Sequence, residues 1–144
     1  MRVVLDTNAV ISGLLWGGPP RQLLDAAIRG SIEIFTSSIL LAELRETLSY
    51  PRLAQRLSDT GSSIDLTVDR YLTIAHLTAP AAITPTVLGD PDDDHVLACA
   101  LSAEADLIAT GDILLLNLKH FHRIPIVPAT EALRRIASEE PPAP

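Results

Sequence analysis

Short apolar runs of strand length alternate along this chain with stretches of helical periodicity, and that alternation restricts the fold more than any other feature. The first run, Val3-Val4-Leu5, ends on an acid, a hydroxyl and an amide, Asp6-Thr7-Asn8. Val10, Ile11, Leu14 and Leu15 then recur at helical spacing, with Thr7 or Asn8 as the expected N-cap. Further strands are predicted over residues 32–35, 105–109 and 124–127, being short, apolar and partly β-branched. Helices are predicted over residues 21–29, 39–49, 51–57, 64–77, 96–103 and 129–137, with a short turn of helix at 114–118. Trp16-Gly17-Gly18-Pro19-Pro20 and residues 79–89 read as irregular, because Gly and Pro interrupt both regular forms. Strands separated by helices pair in parallel, so a mainly parallel sheet with helices on both faces is expected.

With 144 residues, 47% of them apolar, the chain is long enough to bury a core as one domain, expected over residues 1–138. Residues 139–144, rich in proline, are expected to form a flexible tail. Aromatic residues make up 3%, so Leu, Ile, Val and Ala must build that core. There is no 18-residue apolar run and no signal-peptide pattern, and Cys99 is the only cysteine. A cytoplasmic protein without membrane partners is expected on those grounds.

The net charge of −7 is concentrated in the middle of the chain, where residues 57–115 set ten acids against Arg70 alone. An acidic chain is a poor nonspecific binder of nucleic acid, unless bound cations reverse the sign of its site.

Topology gathers particular acids. Asp6 and Asp112 both follow predicted strands, and in a parallel sheet those strand ends share one edge. Asp94 begins the helix that precedes the strand at 105–109, so it belongs to the same edge. Glu43 lies early in the helix after the second strand and belongs there too. Four carboxylates in one cleft repel strongly: at about 5 Å and an effective ε of about 20, each pair contributes roughly 3 kcal/mol. Protonation or bound cations must relieve that repulsion. An all-oxygen donor set with no Cys or His companions suits one or two hard ions, Mg²⁺ or Mn²⁺. Such ions polarise phosphoryl oxygens and activate water for in-line attack.

Structural roles compete for several of these residues. Asp90, Asp92, Asp93 and Asp94 can serve only to cap their helix and complement its dipole. Asp94 is the preferred ligand because it sits flush against the apolar stretch, while Asp92 and Asp93 are supporting candidates. Asn8 and Thr110 are candidates to orient the acids, with capping and turn roles equally open. His95, His120 and His122 are candidate metal ligands, but the last two stand two apart in a predicted loop and all three read rather as exposed polar residues. Glu46 reads as a solvent residue, Cys99 as a core thiol, and Trp16 as a loop anchor or a contact for a substrate or partner.

Val4-Leu5-Asp6-Thr7-Asn8, Glu43 after Thr36-Ser37-Ser38, Asp90-Pro91-Asp92-Asp93-Asp94 and Leu107-Ile108-Ala109-Thr110-Gly111-Asp112 together resemble a PIN domain. The resemblance runs from Arg2 to about Ala137 and is nearest to the toxin components of toxin–antitoxin systems, relatives of VapC. It implies an α/β/α sandwich, a Mg²⁺- or Mn²⁺-dependent ribonuclease site, an RNA substrate, a homodimer and a cognate antitoxin. The family's four acids fall on Asp6, Glu43, Asp94 and Asp112, and its supporting polar positions on Asn8 and Thr110. Ala9 departs from the family's larger apolar residue, and the Asp cluster is richer than in many relatives, so Asp92 or Asp93 can share or replace the role of Asp94. The expected activity is metal-dependent RNA hydrolysis. Two alternatives stand beside it: a non-catalytic binding module of the same fold, and a phosphatase or phosphotransferase with Asp6 as nucleophile. The latter is weakened by Asn8, which stands where a second acid would be needed.

Overall fold

The computed structural model describes residues 1–83, 86 and 91–139. Its elements run β1 (Arg2–Leu5), α1 (Thr7–Leu15), α2 (Gly18–Ile28), β2 (Glu33–Thr36), α3 (Ser38–Leu48), α4 (Pro51–Asp59), α5 (Ile64–Leu72) and β3 (Ala75–Leu77). They continue with α6 (Pro91–Ser102), β4 (Leu107–Ala109), α7 (Ile113–Leu118), β5 (His120–Phe121), β6 (Ile124–Val127) and α8 (Ala129–Glu139). The expected α/β architecture is present. The sheet has the strand order β3-β2-β1-β4-β6-β5, parallel throughout except for the short edge strand β5.

Because successive strand residues face opposite ways, each strand feeds two cores. Val3 and Leu5 of β1, Ile34 of β2 and Leu107 of β4 join side chains of α1, α2, α5 and α8 on one face. Val4, Ile108 and Ile126 turn to the other face and pack on Val96, Leu97, Cys99 and Ala100 of α6 and Leu115 of α7. The result is the three-layer α/β/α sandwich. With so few aromatic residues, Tyr71 is the largest fully buried side chain, and branched aliphatics supply most of the rest. Cys99 is a core thiol as expected: it is fully buried, and burial pushes it up to about 12.

Several local expectations change. The N-cap of α1 is Asp6 rather than Thr7 or Asn8, because the helix begins directly at Thr7 and the Asp6 carboxylate accepts the Ala9 N–H at 2.9 Å. Helix α2 begins at Gly18, inside the predicted loop, since proline is tolerated in a first turn where N–H groups have no intrahelical partner. The helix predicted to run to residue 77 stops at Leu72; Thr73 caps it, and Ala75–Leu77 instead pair with β2 as an edge strand. That edge would otherwise expose β2 backbone groups, a demand invisible in the local periodicity. His120 lies in β5 rather than in a loop, though it and His122 are exposed as expected. Of the predicted irregular stretch, residues 84, 85 and 87–89 lie outside the described residues, as does Asp90. Of the expected tail only Glu139 is described, and it is the last residue of α8.

Candidate active site

β1 lies between β2 and β4, so the chain leaves it towards one side and later returns to its other side. A crevice opens at the carboxyl ends of strands where the order reverses in this way. The β1–β4 register pairs Leu5 with Ala109, which sets the next residues, Asp6 and Thr110, side by side at the crevice floor. Both are buried.

The Asp6 carboxylate is held at both oxygens. Oδ1 accepts the Ala9 N–H of α1 at 2.9 Å, and Oδ2 accepts the Thr110 hydroxyl in a very short hydrogen bond. The same Thr110 oxygen accepts the Asp112 N–H at 2.9 Å. One hydroxyl therefore links the ends of two adjacent strands and orients one acid against the backbone of the next. Burial raises the Asp6 pKa above its ordinary value, and the negative charge of Asp112 raises it further; the bonds from Thr110 and Ala9 pull it down. Asp112 caps α7 through its Oδ1, which accepts the Leu114 N–H at 2.8 Å.

Asp6, Asn8, Glu43, Asp92, Asp93 and Asp112 line one cleft of about 210 Å³, with Thr7, Glu46, Thr47, Tyr50 and Val96 completing its wall. Glu43 reaches it from α3, its Oε2 accepting the Thr7 hydroxyl at 3.4 Å. Asp93 is buried and Asp92 exposed, both in the first turn of α6.

Asp94 is not on this cleft, a correction to the sequence reading. Its carboxylate accepts the Thr86 N–H at 3.2 and 3.1 Å, and it lines a different depression with Ile39, Pro80, Ala81, Ile83, His95 and Ala98. The cause is the helix boundary. The sequence predicts a helix from residue 96, next to which Asp94 is the nearest acid. α6 in fact begins at Pro91, so Asp92, Asp93 and Asp94 are all helical and point about 100° apart. Asp93 shares its side of the helix with buried Val96, Leu97 and Ala100, and is carried inward with them.

His95 is the residue that sequence reasoning set aside and the fold brings close. Its Nε2 lies 3.8 Å from Glu43 Oε1, and one ligand atom from each of Glu43, Asp92 and His95 lies within 4.8 Å of the others. The signal available in the sequence was the i, i+3 spacing of Asp92 and His95, which puts both on one helix face. Asn8 lies exposed on the cleft, and Thr110 takes the orienting position described above. Glu46 is exposed as expected, yet it borders the cleft. Trp16, half-exposed, lies beneath the Arg56 guanidinium at 4.6 Å, away from the acids.

The family model described as PIN domain matches residues 2–114, which span β1 to the start of α7 and every acid of the cleft. The chain belongs to the PIN domain family. Its fold is similar to a chain in the crystal structure of VapBC2 from Rickettsia felis bound to a DNA fragment from their promoter. That likeness has a TM-score of 0.59 at 17% identity and covers 88% of this chain and 97% of the other. No curated protein matches this PIN domain significantly. Nothing in the described residues of the PIN domain is a helix long and apolar enough to cross a membrane.

The donors of this PIN domain fit a hard divalent cation. Carboxylates dominate the cleft, a single imidazole stands beside it, and no thiolate is near, since Cys99 is buried in the core. A cation would also favour the charged form of Asp6, which burial first and the charge of Asp112 second disfavour.

Proposed function

We propose that this PIN domain is a divalent-metal-dependent endoribonuclease, using Mg²⁺ or Mn²⁺, and that it is the toxin of a toxin–antitoxin pair. The observation that carries the reading is the Asp6–Thr110–Asp112 arrangement: a buried carboxylate, locked at both oxygens, facing further acids from α3 and α6 across one polar cleft. A carboxylate confined in this way, with a raised pKa, is suited to holding a cation and costly to keep charged without one.

Asp6, Glu43, Asp93 and Asp112 are the proposed ligands, with Asp92 and His95 beside them; Asp93 takes the place first given to Asp94. These residues would hold a divalent ion, which when bound would supply polarisation of the scissile phosphoryl oxygen and a more acidic water. Thr110 keeps Asp6 from rotating, Thr7 orients Glu43, and the N-terminus of α1 stabilises the Asp6 charge. Hydrogen bonds join Asp6, Thr110 and Asp112 across the ends of two paired strands.

PIN family membership supports nuclease activity, and the VapBC2 likeness supports a second protein, the antitoxin, as partner. A homodimer and a cytoplasmic location complete the proposal. The test is cleavage of RNA oligonucleotides with Mg²⁺ or Mn²⁺ by wild-type, Asp6→Ala and Asp112→Ala proteins. Metal-dependent cleavage lost in both variants is the expected result. Cleavage that persists unchanged in both would sink the assignment, and a wild-type protein that binds RNA without cutting it would favour the binding-module alternative.

A further inference from the structure

A polyanionic substrate entering this cleft meets an electrostatic difficulty that the proposed cation relieves only at one point. No Lys or Arg lines the cleft among the described residues. Arg45, on the same helix as Glu43, is drawn away to Asp65 at 2.6 Å. Contacts between side-chain cations and flanking phosphates, the usual source of affinity for nucleic acid, are not built into its walls.

Tyr50 offers a neutral alternative. The chain has two Tyr, two Phe and one Trp. Tyr71 is buried, Phe35 and Phe121 are half-buried, and Trp16 lies under Arg56. Tyr50 is the aromatic residue on the acidic cleft, and 54% of it is exposed. Its position is set by the backbone. The Tyr50 carbonyl accepts the N–H groups of Leu53 and Ala54 at 3.0 and 2.9 Å, Pro51 follows in the first turn of α4, and the Tyr50 side chain makes no capping bond. These backbone bonds fix the residue at the junction between α3 and α4, beside the cleft, and leave its side chain out of the helix cap.

We propose that Tyr50 is the platform on which a base of the RNA stacks beside the scissile phosphate, so that substrate is held through a base rather than through backbone charge. This rests on the ribonuclease reading above. Stacking on an aromatic face needs no cation on the protein and tolerates any base, because every base has a π-face. A paired base is not available to the ring, so the stacked nucleotide must be unpaired.

The test is steady-state cleavage of a short single-stranded RNA in Mn²⁺ by wild-type, Tyr50→Phe, Tyr50→Leu and Tyr50→Ala proteins, with thermal melting to confirm that each folds. Leu and Ala should raise KM by roughly 5- to 150-fold with kcat preserved, the range expected for one lost stack, while Phe stays near wild type. An abasic nucleotide next to the cleavage site should raise the wild-type KM similarly and leave the Ala variant unaffected. Wild-type KM should rise far less between about 50 and 200 mM salt than the 10³-fold or more expected of a protein with six or more phosphate contacts. An unchanged KM in the Ala variant, or a Phe variant as impaired as Ala, overturns the stacking role while the nuclease assignment stands. A wild-type protein that does not cleave RNA overturns both.

Discussion

Replacing Asp6 by Asn should stabilise the metal-free protein while abolishing its response to metal. Asn keeps the shape of the side chain and the acceptor that caps Ala9, and the Thr110 oxygen has a second lone pair to accept the new amide N–H beside that of Asp112. The substitution removes a buried charge whose desolvation costs several kcal/mol. It also removes repulsion from half-buried Asp112, roughly 1–2 kcal/mol after solvent screening. Against this, two charge-assisted hydrogen bonds are lost or fall to neutral strength, about 1 kcal/mol each, and the buried Thr110 proton loses the Asp6 oxygen it donated to, about 1 kcal/mol more. The balance is a gain of roughly 1–2 kcal/mol, or about 3–6 °C in Tm for a domain of this size.

The pH dependence follows in sign. Because the folded pKa of Asp6 is raised, its stabilising contribution is complete below the unfolded value of 3.8 and is lost as pH rises through the folded value. The metal-free wild type should therefore lose stability across that window by an increment that the Asn variant does not show. Adding Mn²⁺ at about 100 times its Kd should restore about 2.7 kcal/mol to the wild type and much less to the variant. Thermal melts in chelator and in Mn²⁺, from pH 4 to pH 7, measure all three. An Asn variant that melts below wild type in chelator, or that keeps the full Mn²⁺ shift, would refute the reasoning.

Asp93→Asn should lower kcat by at least about 10²-fold, a loss of the size seen when one preorganised electrostatic contact is removed, whereas Asp94→Asn should change it by less than about threefold; parallel cleavage assays of the two separate the helix faces. His95→Ala should weaken Mn²⁺ binding by about 10- to 100-fold in calorimetry if the imidazole supports the acids as its 3.8 Å approach to Glu43 suggests. Thr110→Val keeps the volume but leaves buried Asp6 without its hydroxyl partner, so it should cost about 1–3 kcal/mol by denaturant unfolding. Leu97→Ala, at a fully buried position between α6 and the sheet, should cost about 2–5 kcal/mol in the same assay with the metal affinity retained.

Much of the architecture was legible locally. Val3-Val4-Leu5 and Leu107-Ile108-Ala109 read as strands because both of their faces are buried, and Leu40, Leu41, Leu44 and Leu48, which the helical wheel puts on one stripe, match the side of α3 that is buried, with Leu41 only partly so. The pairing of strand-end acids was legible as well, since parallel strands put Asp6 and Asp112 on one edge whatever the details of their helices. Legibility failed where a local pattern was overruled by a neighbour. The stretch at 73–77 continues a helical periodicity, and only the vacant edge of β2 makes it a strand.

By itself, then, the sequence determined an alternating α/β chain whose strand-end acids must collect at one sheet edge, because period and connection length allow little else. Tertiary structure decided which acids meet. One residue of difference along α6 turns a side chain by about 100°, so the choice between Asp93 and Asp94 depends on where that helix starts and which side it buries against β1 and β2. It also decided the company they keep. Thr110 becomes the brace of Asp6 through the register of β1 with β4, and His95 meets Glu43 because α3 and α6 cross above the same strand ends, contacts between residues far apart in the chain that no local periodicity encodes.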